Sequence, residues 1–280
     1  MSTAFLFPGQ GSQAVGMGSE LFENFPEELD QANEILGYPI SDLCLKGPED
    51  QLGQTQFTQP ALYLVSYLHA KSLISQNVFP SMAAGHSVGE FAALATAGAV
   101  SFSDGLRMVA KRGEIMSQVK GGGMAAVIGL EDSIITECLA NEGLRGVDLA
   151  NFNSPGQIVV SGPAEEIQAS LLPLKNAGAK LVVPLKVSGA FHSRMMEEPA
   201  QKFGEFLRDF TFRKTAFPVY ANVSAVPYSD SSSIPDTLIR QIHSPVRWTD
   251  TIMAMRSEGA NPFEECGPGR VLSKLLRQIT

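Results

Sequence analysis

The sequence predicts an α/β fold: a mainly parallel sheet flanked by helices, with a smaller unit inserted near the middle of the chain. Three observations predict it. Apolar or small-residue runs at residues 3–7 and 79–84 each lead into a glycine-rich turn, and helix-forming sequence follows, as in strands of a parallel sheet. Residues 124–187 alternate strand-like and helix-like patterns in the order β-α-β-β-α-β, the arrangement of a ferredoxin-like unit. Beyond residue 190 the first pattern resumes. The expected boundaries are 1–122 and 191–280 for a discontinuous large domain, and 123–190 for the small one.

Each element has its own warrant. Residues 3–7 read as a buried strand running into the loop Pro8-Gly-Gln-Gly-Ser-Gln13. Residues 28–36 and 61–75 carry helical patterns; in the second, Leu62, Val65, Leu68 and Leu73 recur near helical spacing. Residues 79–84 suit a strand entering a tight turn. Residues 88–97 are rich in Ala, Leu, Glu and Phe, with Gly98 placed to end the helix. A helix is expected at 102–119 and a strand at 124–130. Residues 132–141 read as a helix, since Ile134/Cys138 and Ile135/Leu139 fall four apart. Strands at 146–151 and 157–161 flank the turn Asn153-Ser-Pro-Gly156. Pro163 suits the first position of a helix running to Ala177, with Pro173 as a blemish and Gly178 as its cap. Residues 180–187 close the unit. A strand at 217–223, helices near Leu238 and at 249–256, and a terminal helix from Val271 complete the chain.

With 280 residues, 44% hydrophobic and 18% charged, the chain can bury a large core. No apolar run reaches the roughly 18 residues of a membrane span. The first eight residues lack a basic region, so no secretory signal is expected. Cys44, Cys138 and Cys266 are odd in number and far apart, against both a disulfide framework and a zinc site. His69, His86, His192 and His243 show no metal-binding spacing. The net charge of −8 argues against nucleic acid as a partner. The expectation is a soluble cytoplasmic enzyme, or one of an organelle stroma or matrix if a transit peptide was removed. No membrane association, metal or cofactor is expected, and nothing demands more than a monomer.

Gly85-His86-Ser87-Val88-Gly89 fits G-x-S-x-G, a serine nucleophile on a strand-to-helix elbow whose following amide faces a developing oxyanion. Alone the pattern is weak; its strand and helix context supports it. Ser87 needs a base. His192 follows in chain order, on a loop after the inserted unit, and the alternative is a histidine satisfied by loop hydrogen bonds. His86 adjoins the serine and points elsewhere, while His69 and His243 read as structural. Arg112 lies on the flank of a buried stripe formed by Val109, Met116 and Val119. Such an arginine needs a counter-charge: either an internal Asp or Glu, or the carboxylate of a substrate. Gly9-Gln-Gly-Ser-Gln-Ala14 imitates a dinucleotide fingerprint, with Glu28 and Asp30 following. Those acids fall in a helical pattern rather than at a strand end, which disfavours a nicotinamide enzyme. The same glycines allow a close backbone approach that would make the Gln10 N–H a second oxyanion donor.

Phe7-Pro-Gly-Gln-Gly-Ser-Gln13, Thr58-Gln-Pro-Ala61, Gly85-His-Ser-Val-Gly-Glu90, Arg112-Gly113, Asn151-Phe-Asn-Ser-Pro-Gly-Gln157, Gly189-Ala-Phe-His-Ser193 and Pro245-Val-Arg-Trp248 together resemble the malonyl-CoA:acyl carrier protein transacylases. The resemblance runs from about residue 4 to about residue 275. It implies an α/β-hydrolase-like large domain with a parallel sheet core and an inserted ferredoxin-like small domain. It implies Ser87 as nucleophile and His192 as base without a carboxylate, the histidine being oriented by a main-chain carbonyl at Gln241. Gln10 and Val88 would supply oxyanion N–H groups, and Arg112 would hold the malonyl carboxylate. Phe191 is similar to the malonyl-selective form of its motif. Val88 stands where the family usually has Leu, with little consequence because its backbone is the acting group.

The implied partners are malonyl-CoA and acyl carrier protein, serving fatty acid or polyketide synthesis. An acidic carrier would need a local basic patch on this negative chain; the candidates are Lys180, Lys186, Arg194, Arg270, Lys274 and Arg277. Two other functions fit less of the sequence. A serine thioesterase or esterase would share the elbow, and a carrier-docking scaffold would have no need of Ser87, His192 and Arg112 together.

Overall fold

The computed structural model describes residues 2–187 and 189–279; residues 1, 188 and 280, which fall inside the expected domain ranges, lie outside it. The chain opens with β1 (Ser2–Phe7), followed by α1 (Ser19–Asn24), α2 (Pro26–Leu36), α3 (Ile40–Lys46), α4 (Glu49–Leu52) and α5 (Thr55–Ser75). Next come β2 (Met82–Gly85), α6 (Gly89–Thr96) and α7 (Phe102–Ser117). The middle of the chain forms β3 (Gly122–Ile128), α8 (Asp132–Asn141), β4 (Asp148–Ser154), β5 (Gln157–Pro163), α9 (Ala164–Asn176) and β6 (Leu181–Pro184). It ends with α10 (Glu197–Leu207), β7 (Val219–Tyr220), α11 (Ser233–His243), α12 (Trp248–Ser257), β8 (Ala260–Glu265) and α13 (Val271–Leu276).

Two sheets result. The first is wholly parallel, in the order β7-β2-β1-β8. Its central strand shows why it is buried on both faces. Phe5 and Phe7 belong to one core cluster and Ala4 and Leu6 to another, so alternate side chains feed the two helical layers. The second sheet is wholly antiparallel, in the order β4-β5-β3-β6. One face packs with α8 and α9 around Ala125, Val127, Ile135, Leu139, Val160 and Leu174. The other face sends Met124, Ala150 and Val159 into the main core, which holds the two sheets together. A bridge between Asn151 and Val246 ties them as well. Among the described residues no helix is long and apolar enough to cross a membrane.

Helix α7 starts at Ser101, whose side chain accepts the Asp104 N–H at 3.0 Å. It packs closely on α5 because two glycines face it. A Cβ at Gly105 would lie 2.2 Å from the Tyr63 hydroxyl, and one at Gly113 would lie 2.8 Å from the Thr55 carbonyl. This closeness brings Gln59 of α5 against Arg112 of α7.

Several expectations need correction. Helix α5 begins at Thr55, not Ala61: Pro60 gives up one backbone bond near the N-terminal end and the helix continues through it. Pro163 is the residue before α9 rather than its first. The expected strand at 217–223 shrinks to the two residues of β7. Helices α1, α3, α4 and α10 and strand β8 were not expected. Strand β8 is an edge strand with Pro262 and two glutamates, so it shows neither alternation nor an apolar run.

Candidate active site

Strand β2 ends at Gly85 and α6 begins at Gly89, so Ser87 sits on the turn between them with φ 52°, a left-handed conformation costly for a side chain of its kind. Both glycines are required by contact. A Cβ on Gly85 would lie 1.9 Å from the Gly89 carbonyl carbon, and one on Gly89 would lie 2.1 Å from the Phe7 oxygen. Asn222 steadies the turn: its Oδ1 accepts the Ser87 N–H at 2.7 Å and its Nδ2 donates to the Gly85 carbonyl at 2.6 Å.

His192 reaches the serine from across the chain, with Nε2 2.8 Å from Ser87 Oγ. Its Nδ1 lies 2.9 Å from the Gln241 carbonyl and 3.1 Å from the Ser244 carbonyl. Both are acceptors, so Nδ1 carries the proton and Nε2 is free to accept the serine's. The ring is buried. Burial first, then the nearby Arg112 charge and His86, hold its pKa down to about 3, so the free site keeps a neutral imidazole.

Arg112 is buried on α7. It donates from Nη1 to Gln59 Oε1 at 2.8 Å, and from Nη2 to Gln241 Oε1 at 3.0 Å and to Ser87 Oγ at 3.2 Å. Among the described residues no carboxylate forms an ion pair with it, and its Nε has no partner. Burial lowers its pKa to about 10, against the pull of Glu90. Of the two readings left open by the sequence, the direct internal ion pair is absent.

Glu90, on the first turn of α6, was not singled out from the sequence. It is buried, accepting the Asn222 N–H at 3.1 Å and the Gln241 Nε2–H at 2.7 Å on one oxygen, and the Tyr228 hydroxyl on the other. Burial pushes its carboxyl up to about 7, although these donors and Arg112 oppose the rise. Gln59, Asn222, Tyr228 and Ser244 were also missed. They carry no motif of their own and meet only through tertiary contacts.

Gln10, Val88, Met116 and Phe191 complete the walls of a cavity of about 90 Å³ with Ser87, His192 and Arg112, while Met124 and Asn151 enter it from the antiparallel sheet and Leu185 and Val187 from the segment just after β6. Gly9 lets the first loop approach the elbow, since a Cβ there would lie 2.6 Å from the His86 oxygen. Among the described residues neither the Gln10 nor the Val88 amide donates to a protein acceptor. Val187 also lines a larger outer cleft of about 980 Å³ bearing Ser117, Lys120 and Lys186. No group of three or more His, Cys, Asp or Glu side chains among the described residues could hold a metal ion.

The other candidates fall where their chemistry suggests. His86 Nε2 lies 2.9 Å from Asn153 Oδ1, away from the serine, and His69 Nδ1 accepts the Gly267 N–H at 3.0 Å. Glu28 and Asp30 lie on α2, so the first loop is no dinucleotide fingerprint. The candidate basic residues for carrier docking differ in their surroundings. Arg194 is held by Asp148, and Arg270, Lys274 and Arg277 line a cavity with Glu264 and Glu265, whereas Lys186 borders the outer cleft.

Fold and site define a class: α/β proteins that present a serine and a histidine, without a paired carboxylate, for acyl chemistry. The chain belongs to the acyl transferase domain family, whose profile matches residues 4–278. It is 50% identical over 277 residues to the polyketide biosynthesis protein ThaF of Burkholderia thailandensis, covering 99% of this chain but 24% of that one. It is 48% identical over 278 residues to the polyketide biosynthesis malonyl CoA-acyl carrier protein transacylase PksC of Bacillus subtilis, covering 98% of this chain and 96% of that one. A crystal structure of malonyl CoA-acyl carrier protein transacylase from Burkholderia pseudomallei superposes with a TM-score of 0.95 at 42% identity, covering 100% of this chain and 98% of that one.

Proposed function

We propose that this chain moves the malonyl group of malonyl-CoA to the phosphopantetheine thiol of acyl carrier protein by way of a malonyl-Ser87 ester. The observation that carries the reading is the buried Arg112 guanidinium beside Ser87, with no carboxylate paired to it among the described residues and an Nε left unbonded. A small acyl group bearing a carboxylate supplies what that guanidinium lacks.

The steps follow from the atoms present. His192 Nε2 takes the Ser87 Oγ proton as the oxygen attacks the thioester carbon. The Gln10 and Val88 amides stabilise the tetrahedral oxyanion; one such donor is worth about 10²–10³ in rate. The carbon–sulfur bond breaks, and the CoA sulfur leaves as a thiol with the proton from His192. The malonyl ester waits with its carboxylate on Arg112. The carrier thiol then loses its proton to His192 and attacks the ester carbon, and His192 delivers that proton to Ser87 Oγ as the ester carbon–oxygen bond breaks. The Gln241 carbonyl, with that of Ser244, keeps the imidazole in the required tautomer throughout. Phe191 limits the space beside the acyl chain.

The outer cleft suits the pantetheine arm, with Lys120 and Lys186 facing the phosphates of CoA or the acidic surface of the carrier. The sheet order β4-β5-β3-β6 supports a ferredoxin-like unit at 123–190 inserted in an α/β-hydrolase-like domain at 1–122 and 191–280. The chain is proposed to act as a monomer. The names of ThaF and PksC favour a polyketide carrier.

Intact-protein mass spectrometry after brief mixing with malonyl-CoA tests the scheme. A gain of one malonyl group, absent in Ser87→Ala and discharged by acyl carrier protein, is the expected result. A gain lost equally fast in buffer alone means a thioesterase, and no gain in folded protein overturns the reading.

A further inference from the structure

We infer that Glu90, which touches neither substrate nor the reacting atoms, is the positioning residue that orients the Arg112 clamp through the side-chain amide of Gln241. The inference rests on the malonyl-transfer reading of the site.

The argument begins with donors and acceptors. A guanidinium only donates hydrogen bonds, and the Glu90 oxygen that faces two N–H donors only accepts them. The Gln241 amide lies between the two, its Nε2 2.7 Å from Glu90 Oε2 and its Oε1 3.0 Å from Arg112 Nη2. Turned over, the amide would set donor against donor at Arg112 and acceptor against acceptor at Glu90. Glu90 therefore selects one of two amide orientations, and that orientation gives Arg112 an acceptor to lean on.

The same carboxylate stands behind the nucleophile. Its Oε2 also accepts the Asn222 N–H at 3.1 Å, and Asn222 Oδ1 holds the Ser87 N–H. Gln241 Nε2 reaches the Ser87 carbonyl at 2.9 Å. One buried oxygen thus anchors the two residues that hold the Ser87 backbone, at its N–H and at its carbonyl.

The amide spacer has an electrostatic consequence too. A carboxylate paired directly with Arg112 would occupy the face needed by an incoming malonyl group. Glu90 instead reaches Arg112 through the Gln241 amide, and the guanidinium keeps free bonding capacity.

Four proteins decide the matter: wild type, Glu90→Met, Glu90→Gln and Gln241→Met. Each is assayed for transfer to acyl carrier protein from malonyl-CoA and from acetyl-CoA. Ser87 labelling by a neutral phosphonate ester reports the elbow and His192 independently of any carboxylate. Glu90→Met removes the acceptor, while Gln241→Met keeps the main-chain carbonyl that holds His192. Both are expected to lose malonyl transfer by about 10²-fold more than acetyl transfer or phosphonate labelling, whose smaller common loss reports the Ser87 backbone contacts; the differential is the scale expected when a positioned group shifts by about an ångström. Glu90→Gln is expected to keep the malonyl preference, because its amide oxygen can accept from Gln241 and Asn222 while its NH₂ faces the Tyr228 hydroxyl.

Equal losses for both acyl donors with slowed labelling would mean a merely structural role and overturn the inference. So would an intact malonyl preference in Gln241→Met, which decides the case even if Glu90→Met does not fold. A Glu90→Gln variant as impaired as Glu90→Met would overturn the orientation account. A wild-type protein indifferent to malonyl over acetyl would overturn the functional reading and this inference with it, and that failure is visible without any variant.

Discussion

The floor and the roof of the small cavity are built to different rules. The floor, from the parallel-sheet region, carries a buried and closely bonded polar set beside Met116 and Phe191: Ser87, His192, Arg112 and Gln59 each hold at least one partner, with Gln241 bonded behind them. The roof, from the antiparallel unit, is mostly apolar: Met124, Leu185 and Val187 enter the cavity beside one polar residue, Asn151, and Leu185 is 36% exposed. Reacting groups need fixed positions, and mutually bonded polar groups supply them. Choosing among acyl groups needs only shape, which apolar side chains can change without leaving a polar group unpaired. The contrast predicts large, chemically specific losses on the floor and small, graded changes on the roof.

The largest effect is expected for Ser87→Ala, where acyl loading should fall by about 10⁴–10⁶-fold. Near-normal turnover, read as malonyl transferred per minute, would break the floor's assignment at its centre. Arg112→Ala should lower malonyl transfer by about 10²-fold more than acetyl transfer, the scale of a lost charged hydrogen bond. Equal losses for the two donors would remove the clamp. Gly89→Ala should destabilise the fold by about 3 kcal/mol, because its Cβ meets the Phe7 carbonyl at 2.1 Å, and urea unfolding reads the change directly. On the roof, Leu185→Ala should alter tolerance for bulkier acyl chains by roughly tenfold or less, leaving malonyl loading near normal. A collapse of malonyl loading there would erase the distinction between floor and roof.

The smallest expected change is the contribution of His192 to the pH profile. His192 is held to about 3 in the free site, below its ordinary 6.5, so lowering the pH through 6.5 does not protonate the proposed base. The acyl-loading kcat/KM should therefore show no inflexion near 6.5 from this group, since that parameter reports the free enzyme. Stability has the opposite sensitivity. Between 6.5 and about 3 the unfolded chain binds a proton on His192 that the folded chain refuses, so this residue's contribution is lost as the pH falls through that window.

The sequence carried the elbow, the histidine and the arginine because each sits in a local signature: glycines around Ser87, a fixed neighbourhood around His192, a helical flank at Arg112. It carried the strands and helices of the antiparallel sheet because their two periods alternate there, and helix α8 falls at the expected residues 132–141. Glu90 was legible only as a helix former, since its partners Asn222, Tyr228 and Gln241 lie more than 130 residues away in sequence and follow no spacing rule. The Gln241 carbonyl was anticipated by resemblance, but its side-chain duties were not. Strand β8 escaped for a different reason, as an edge strand with proline and acids has none of the residue preferences of a buried one.

The entry and exit of the antiparallel unit all but touch: a Cβ on Gly122 would lie 2.4 Å from the Ala190 amide nitrogen. For protein engineering this makes the unit a cassette with its two ends at one doorway. An exchanged segment that keeps Met124, Ala150 and Val159 for the main core would join the host chain there without stretching it, and would bring its own counterparts of Leu185 and Val187 to the cavity.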